Sequence, residues 1–197
     1  MTGKKDRLSI TTRIAGSPLT CRFTVDRTVH TGAPTFFRSK KDAKKSSLAR
    51  KIFSLDGIES IKISKDAVAV TRDKPEDWPS VTRKVAAIIT EQLASGKPAV
   101  DADAPTNMRS PEEIRRIAQE IVDKDIAPQL SSHGGGITLL DVKDATIYVK
   151  LGGGCQGCQG ARMTLKNGVE RAFRQAMPEL DEVIDATDHA GGANPYQ

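Results

Sequence analysis

The residues best equipped for chemistry are Cys155 and Cys158, separated by two residues in the run LGGGCQGCQGA at 151–161. That spacing lets both sulfurs turn toward one point. An apolar, β-like run (ATIYVKL) precedes them and a helical pattern follows. A helix N-terminus carries unpaired N–H groups and a partial positive charge, and both favour thiolate over thiol. Gly152, Gly153, Gly154 and Gly157 allow a close backbone approach. Thiolates are the ligands of zinc and of iron–sulfur clusters.

Three uses of the pair compete. A dithiol–disulfide oxidoreductase would use it for redox chemistry, but the larger βαβ context and a proline-bearing partner loop are not evident. A structural zinc site takes four protein ligands, and Cys21, His30, His133 and His189 show no paired ligand spacing. In the third use each of two chains gives two thiolates, which together make the four that an iron–sulfur cluster takes. A merely structural pair fits poorly, because so many glycines cost backbone entropy.

Other reactive residues read more plainly. Cys21 alternates with Leu19, Phe23 and Val25, which predicts a buried thiol acting as a small hydrophobe. His133 precedes three glycines and reads as a turn residue or hydrogen-bonding anchor; His30 and His189 have no partner pattern. Lys150 and Arg162 flank the loop in sequence, where they would offset thiolate charge or simply face solvent. Thr164 and Lys166 fall in the first turns of the following helix. Nucleophile–base pairs and carboxylate pairs are not evident, and the GGG runs at 134–136 and 152–154 lack the context of a phosphate loop. The expectation is a protein that is not an enzyme.

The elements that must position the cysteines follow from periodicity. Ser110 with Pro111 and Glu113 predicts a capped helix start. Ile114, Ile117, Ala118, Ile121 and Val122 form its apolar stripe, and Pro128 is expected to close it. Ile137–Val142 and Ala145–Leu151 predict a hairpin turning at Lys143-Asp144. After the cysteines, Ala161, Leu165, Gly168, Val169, Ala172, Phe173 and Ala176 trace a helix that Pro178 ends, with a short strand at Val183-Ile184. The order is α-β-β-α-β.

The first half reads as a separate unit. Leu19–Val29 predicts a strand or hairpin arm, Ser46–Phe53 a short helix, and Ile58–Ser64 with Ala67–Thr71 a hairpin. Val81, Val85, Ile88, Ile89 and Leu93 predict a helix stopped by Gly96 and Pro98, with Trp78-Pro79 pinning its start. The fold class is α+β, in two small α/β domains. The expected boundaries are 8–96, a flexible linker at 97–109, 110–188, and a disordered tail at 189–197.

Charge divides the same way. Residues 1–96 carry 19 Lys/Arg against 10 Asp/Glu, and residues 97–197 carry 11 against 15. Without a stacking or groove-reading motif, and with aromatics at 4%, the basic half does not predict nucleic-acid binding. No run of 18 apolar residues is present, so no membrane helix is expected. The basic N-terminus lacks the apolar stretch of a secretory signal. A reducing compartment follows: bacterial cytoplasm, or mitochondrial matrix after processing.

The run at 128–180 then resembles a known family. Its HGGGI start, VKDATIYVKLGGGCQGC core, TLKNGVE helix and closing PEL resemble the NifU-like C-terminal domain of Nfu-type iron–sulfur cluster carriers. More loosely, SLARKIFSLDGIESIKIS (47–64), AVAVT (67–71) and DWP (77–79) resemble the Nfu N-terminal domain; AGSPLTCRF (15–23) stands in place of that domain's Pro-Asn-rich opening. The resemblance implies a carrier that holds a 4Fe–4S cluster (with 2Fe–2S the alternative) on Cys155 and Cys158. It further implies a cluster-bridged homodimer, apo iron–sulfur client proteins as recipients, upstream cluster-assembly machinery as donor, and a recognition role for the first domain.

Overall fold

The computed structural model describes residues 8–15, 17–132, 134–153 and 159–186, with the backbone course alone along 159–167. The chain divides into two compact units, Met1–Met108 and Arg109–Gln197.

The first unit is a five-stranded sheet backed by two helices. Its strands are β1 (Ile10–Ile14), β2 (Thr20–Val25), β3 (Thr35–Phe37), β4 (Ile58–Ile63) and β5 (Ala67–Arg72), in the order β1-β2-β5-β4-β3. All four pairings are antiparallel. Alternation in β2 sends Cys21, Phe23 and Val25 inward, where they meet Ile61, Ile63, Val68 and Val70. Helices α1 (Ser47–Ile52) and α2 (Trp78–Ala94) cover that face with Leu48, Ile52, Val81, Val85 and Ile89. Trp78 donates from Nε1 to the Pro18 carbonyl at 2.9 Å, which fixes the start of α2 to the entry of β2.

Sequence periodicity does not show β1 or β3. In β1 only the terminal Ile10 and Ile14 are apolar, and four of its five residues are exposed, so no alternation betrays it. It exists because its backbone ladders onto β2 from Ile10↔Val25 to Ile14↔Cys21. The three-residue β3 lies in a stretch whose Gly32 and Pro34 suggest only turns.

The stretch 97–109, expected to be a flexible linker, is mostly fastened to the first unit. Ala99 and Val100 are both only 3% exposed and belong to its core. The Ser46 hydroxyl donates to the Ala99 carbonyl at 2.7 Å while accepting from the Ala49 amide as the cap of α1. Gln92 Nε2 donates to the carbonyls of Lys97 and Pro98, and the Asp101 amide donates to the Lys45 carbonyl at 2.8 Å. Composition suggested a linker because prolines and acids dominate; the two small apolar residues among them decide otherwise.

The second unit places helices beside a three-stranded sheet. Ser110 accepts from the Glu113 amide and Glu113 reciprocates on the Ser110 amide, so the predicted capping box opens α3 (Pro111–Ile121). The helix does not stop before Pro128. It passes through a π-helical turn, Val122–Ile126, into α4 (Ala127–Ser131). The Ala127 amide reaches back to the Val122 carbonyl, five residues away, so the ladder has already shifted before the proline, which has no amide to give. Strands β6 (Gly135–Lys143), β7 (Thr146–Gly153) and β8 (Glu182–Asp185) follow, ordered β6-β7-β8, with α5 (Gln159–Ala176) crossing between β7 and β8. β6 and β7 are antiparallel, β7 and β8 parallel. Asp144 turns the hairpin at φ 51°, a left-handed backbone that Asp tolerates. Among the described residues, no helix is long and apolar enough to cross a membrane.

Candidate functional site

Cys155 and Cys158 lie outside the described residues, as do His133 and His189. What the structure provides is their frame: β7 ends at Gly153 and α5 begins at Gln159. Five residues therefore join a strand to a helix, with both cysteines among them.

The strand side of the frame is held from both edges. β7 is the central strand, paired with β6 as far as Gly135↔Gly153 and with β8 as far as Val149↔Asp185. Ile147, Val149 and Leu151 point inward and are at most 4% exposed, while Lys150 points outward and is exposed. Next to the cysteines the ladder has no side chains: Gly136 faces Gly152 and Gly135 faces Gly153. A Cβ placed on Gly136 or Gly152 would meet nothing within 4 Å. Packing inside the described chain therefore does not require glycine at either position.

The helix side is held by burial and by ion pairs. Val169 and Phe173 of α5 are buried, as is Met177 just beyond its end. The Arg174 guanidinium donates to Glu170 Oε1 at 2.7 Å and to the carbonyls of Leu180 and Asp181 at 2.8 and 2.9 Å. It thereby ties the last turn of α5 to the entry of β8, which pairs with β7, the strand that precedes the cysteines. Arg109 forms an ion pair with Glu179, whose side chain is fully buried. Sequence reasoning missed these groups. The available signal was the four-residue spacing of Glu170 and Arg174 beside Val169 and Phe173, which sets charges at the margin of a buried stripe.

Of the remaining candidates, Cys21 and His30 belong to the first unit. Cys21 sits in β2, in the other unit, 1% exposed between its strand neighbours Ile14 and Val70. Burial pushes its thiol up to about 11, only partly offset by a hydrogen bond with the Arg13 backbone. It is a protonated hydrophobe at neutral pH. His30, also in the first unit, is nearly buried with Nε2 3.1 Å from the Ala33 carbonyl. Its ring lies against Gly32, where a Cβ would come within 2.7 Å of Nε2, so any other residue there would push the imidazole from its place. Among the described residues, no group of three or more His, Cys, Asp or Glu could hold a metal. Arg162, Thr164 and Lys166 lie within α5 on the stretch of backbone course alone.

The chain is similar to known proteins along most of its length. A family model described as the N-terminal domain of the scaffold protein Nfu/NifU matches residues 10–96, and one for the NifU-like domain matches 118–184. A NifU-like protein of Schizosaccharomyces pombe is 29% identical over 151 residues, 73% of this chain and 58% of that protein. The mitochondrial NFU1 iron-sulfur cluster scaffold homolog of Homo sapiens is 30% identical over 156 residues, 77% and 61%. The Fe/S biogenesis protein NfuA of Xanthomonas euvesicatoria is 39% identical over 107 residues, 54% and 52%. The matches thus span about half to three-fifths of these curated relatives. With both domain models matched in order along one chain, the chain belongs to the family of Nfu proteins, an Nfu N-terminal domain followed by a NifU-like domain.

Proposed function

We propose that the chain is an iron–sulfur cluster carrier rather than a catalyst, and that Cys155 and Cys158 supply half of the ligands for its cargo. One observation carries the reading: the NifU-like match at 118–184 contains a Cys-x-x-Cys pair set between β7 and α5. Two thiolates cannot complete a four-thiolate site. A second copy supplies the other two, and the cargo is a 4Fe–4S cluster bridging two chains.

The frame suits both holding and releasing. Cys158 immediately precedes α5, whose N-terminal end is the one that stabilises negative charge. Ligation requires each thiol to lose its proton, so loading releases protons and weakens as pH falls. Release follows by ligand exchange: a recipient's thiolate takes an iron site as a carrier thiolate leaves it and regains a proton. A cluster on the seam of two chains can be reached by such a thiolate. Apo iron–sulfur proteins are the recipients, assembly machinery the donor, and the first unit serves their recognition. The setting is a reducing compartment, cytoplasm or mitochondrial matrix.

The test is anaerobic reconstitution of the reduced chain with iron and sulfide, followed by visible spectroscopy and native mass. A dimer holding about one cluster is expected, since four thiolates bind one. Cys155→Ser and Cys158→Ser should each abolish loading, and Cys21→Ser should leave it intact. A colourless monomer that instead reduces disulfides would overturn the reading in favour of an oxidoreductase.

A further inference from the structure

The residues between the two family matches carry structure of their own. The match to the first domain ends at residue 96 and the match to the second begins at 118. Beyond the buried Ala99 and Val100, the chain continues along the first unit. Asp103 forms an ion pair with Lys45. The Phe36 amide donates to the Thr106 carbonyl at 2.7 Å, and Asn107 Nδ2 donates to the Phe36 carbonyl at 3.1 Å.

Those last two bonds have a specific meaning. Phe36 is the middle residue of β3, an edge strand paired on its other side with β4. Its N–H and C=O point away from β4, to the side where another strand would add. An uncovered edge is a template for pairing with other chains. Thr106 and Asn107 occupy it.

The same bonds shorten the joint between the units. Asn107 is still bonded to the first unit. Arg109 is already paired with Glu179 in the second, and Ser110 caps α3. Met108 alone stands between these anchors.

The attachment is also a light one. Past the core residues Ala99 and Val100, Ala104 alone is half-buried, while Asp101, Asp103, Pro105, Thr106 and Asn107 are exposed. The Lys45–Asp103 pair stands in solvent, where ion pairs are weak and screened by salt. Segments with few buried contacts open locally, well before the fold does.

We propose that residues 101–107 form a releasable strap: docked, it covers the β3 edge and leaves Met108 as the tether to the second unit. Released, it uncovers the edge and lengthens the tether to residues 101–108, a reach of about 27 Å when extended. The same residues thus act as plug and as reserve chain. The strap does not depend on cluster binding, so it stands or falls apart from the carrier reading.

The test is hydrogen exchange on the full apo chain and on an Asp103→Ala/Asn107→Ala double variant, both substitutions being at exposed positions. In the wild type the Phe36 and Asp101 amides should be protected, yet exchange faster than the β2–β5 ladder. In the variant both should speed up several-fold together while the β2–β5 amides stay unchanged. Proteolysis within 101–107 should rise in parallel. Wild-type Phe36 and Asp101 amides exchanging as in an unstructured chain would overturn the docked state. Acceleration only in step with the β2–β5 ladder, or none in the variant, would overturn its release as a separate event.

Discussion

Arg174 Nε donates to Glu170 Oε1 at 2.7 Å where the two side chains are only 12% and 4% exposed. A carboxylate so placed is tolerable because a guanidinium faces it; alone, it would be a buried charge. Arg174→Met is therefore expected to destabilise the second unit by about 3–5 kcal/mol, the cost of leaving one partner of a buried pair. Glu170→Met together with Arg174→Met should recover much of that loss, short of the bonds Arg174 makes to the Leu180 and Asp181 carbonyls. Urea unfolding of the two variants checks both. Equal destabilisation by single and double variants would show that the carbonyl bonds, not the ion pair, carry Arg174's role.

Cys21 gives the pH dependence. Its folded thiol stays protonated up to about 11, whereas an unfolded thiol ionises near 9.0. The unfolded chain therefore loses its proton first as pH rises. The contribution is fully present below pH 9 and is lost between about 9 and 11. By linkage it is worth on the order of 1–3 kcal/mol. The difference in unfolding free energy between wild type and Cys21→Ala should shrink by that amount over this window, which removes the effect of other groups titrating there. In the folded chain at neutral pH, an alkylating reagent should leave Cys21 unmodified, because thiolate and access are both lacking.

Much of this was legible in the sequence. The capping box at Ser110, both hairpins, the stripe of α2 and the buried alternation at Cys21 rest on short-range patterns, and each was found where expected. What escaped depends on long-range partners. β1 is a strand only because β2 offers its edge, and the 97–107 segment is ordered by Ser46, Lys45, Gln92 and Phe36, each five to 71 residues away in sequence. Pro128 was misjudged as a stop because a π-turn is invisible to a 3.6-residue period. Of the site, the cysteine spacing was plain and the four-residue spacing of Glu170 and Arg174 was a signal, but no short-range pattern marks Glu179, which pairs with Arg109 seventy residues away, as buried.

Ser110 tests the local part of that legibility. Its hydroxyl accepts from the Glu113 amide at 3.2 Å, and its own amide is satisfied by Glu113 Oε2 at 3.0 Å. Ser110→Ala removes the acceptor and should cost about 1 kcal/mol, as N-cap losses do. Ser110→Asp should retain most of the stability, since a carboxylate caps as well and suits the positive end of α3. Thermal unfolding of both variants decides; a full-sized loss in the aspartate variant would mean the hydroxyl has a further partner.

Gly152 separates what the single chain needs from what the cargo-bound pair needs. A Cβ there meets nothing within 4 Å, and its partner across the ladder is Gly136, equally open. Glycine in a strand costs backbone entropy, so Gly152→Ala should leave the apo chain as stable or raise it by about 0.5–1 kcal/mol. The position is three residues from Cys155, where the proposed second chain must bring its own pair. A side chain that is harmless alone would then stand in the partner's way. After anaerobic reconstitution the alanine variant should hold less cluster and yield less dimer than wild type, with a bulkier valine worse still. Unchanged loading in both variants would mean that the open glycine end is not where the two chains meet, and the shared cluster would need another geometry.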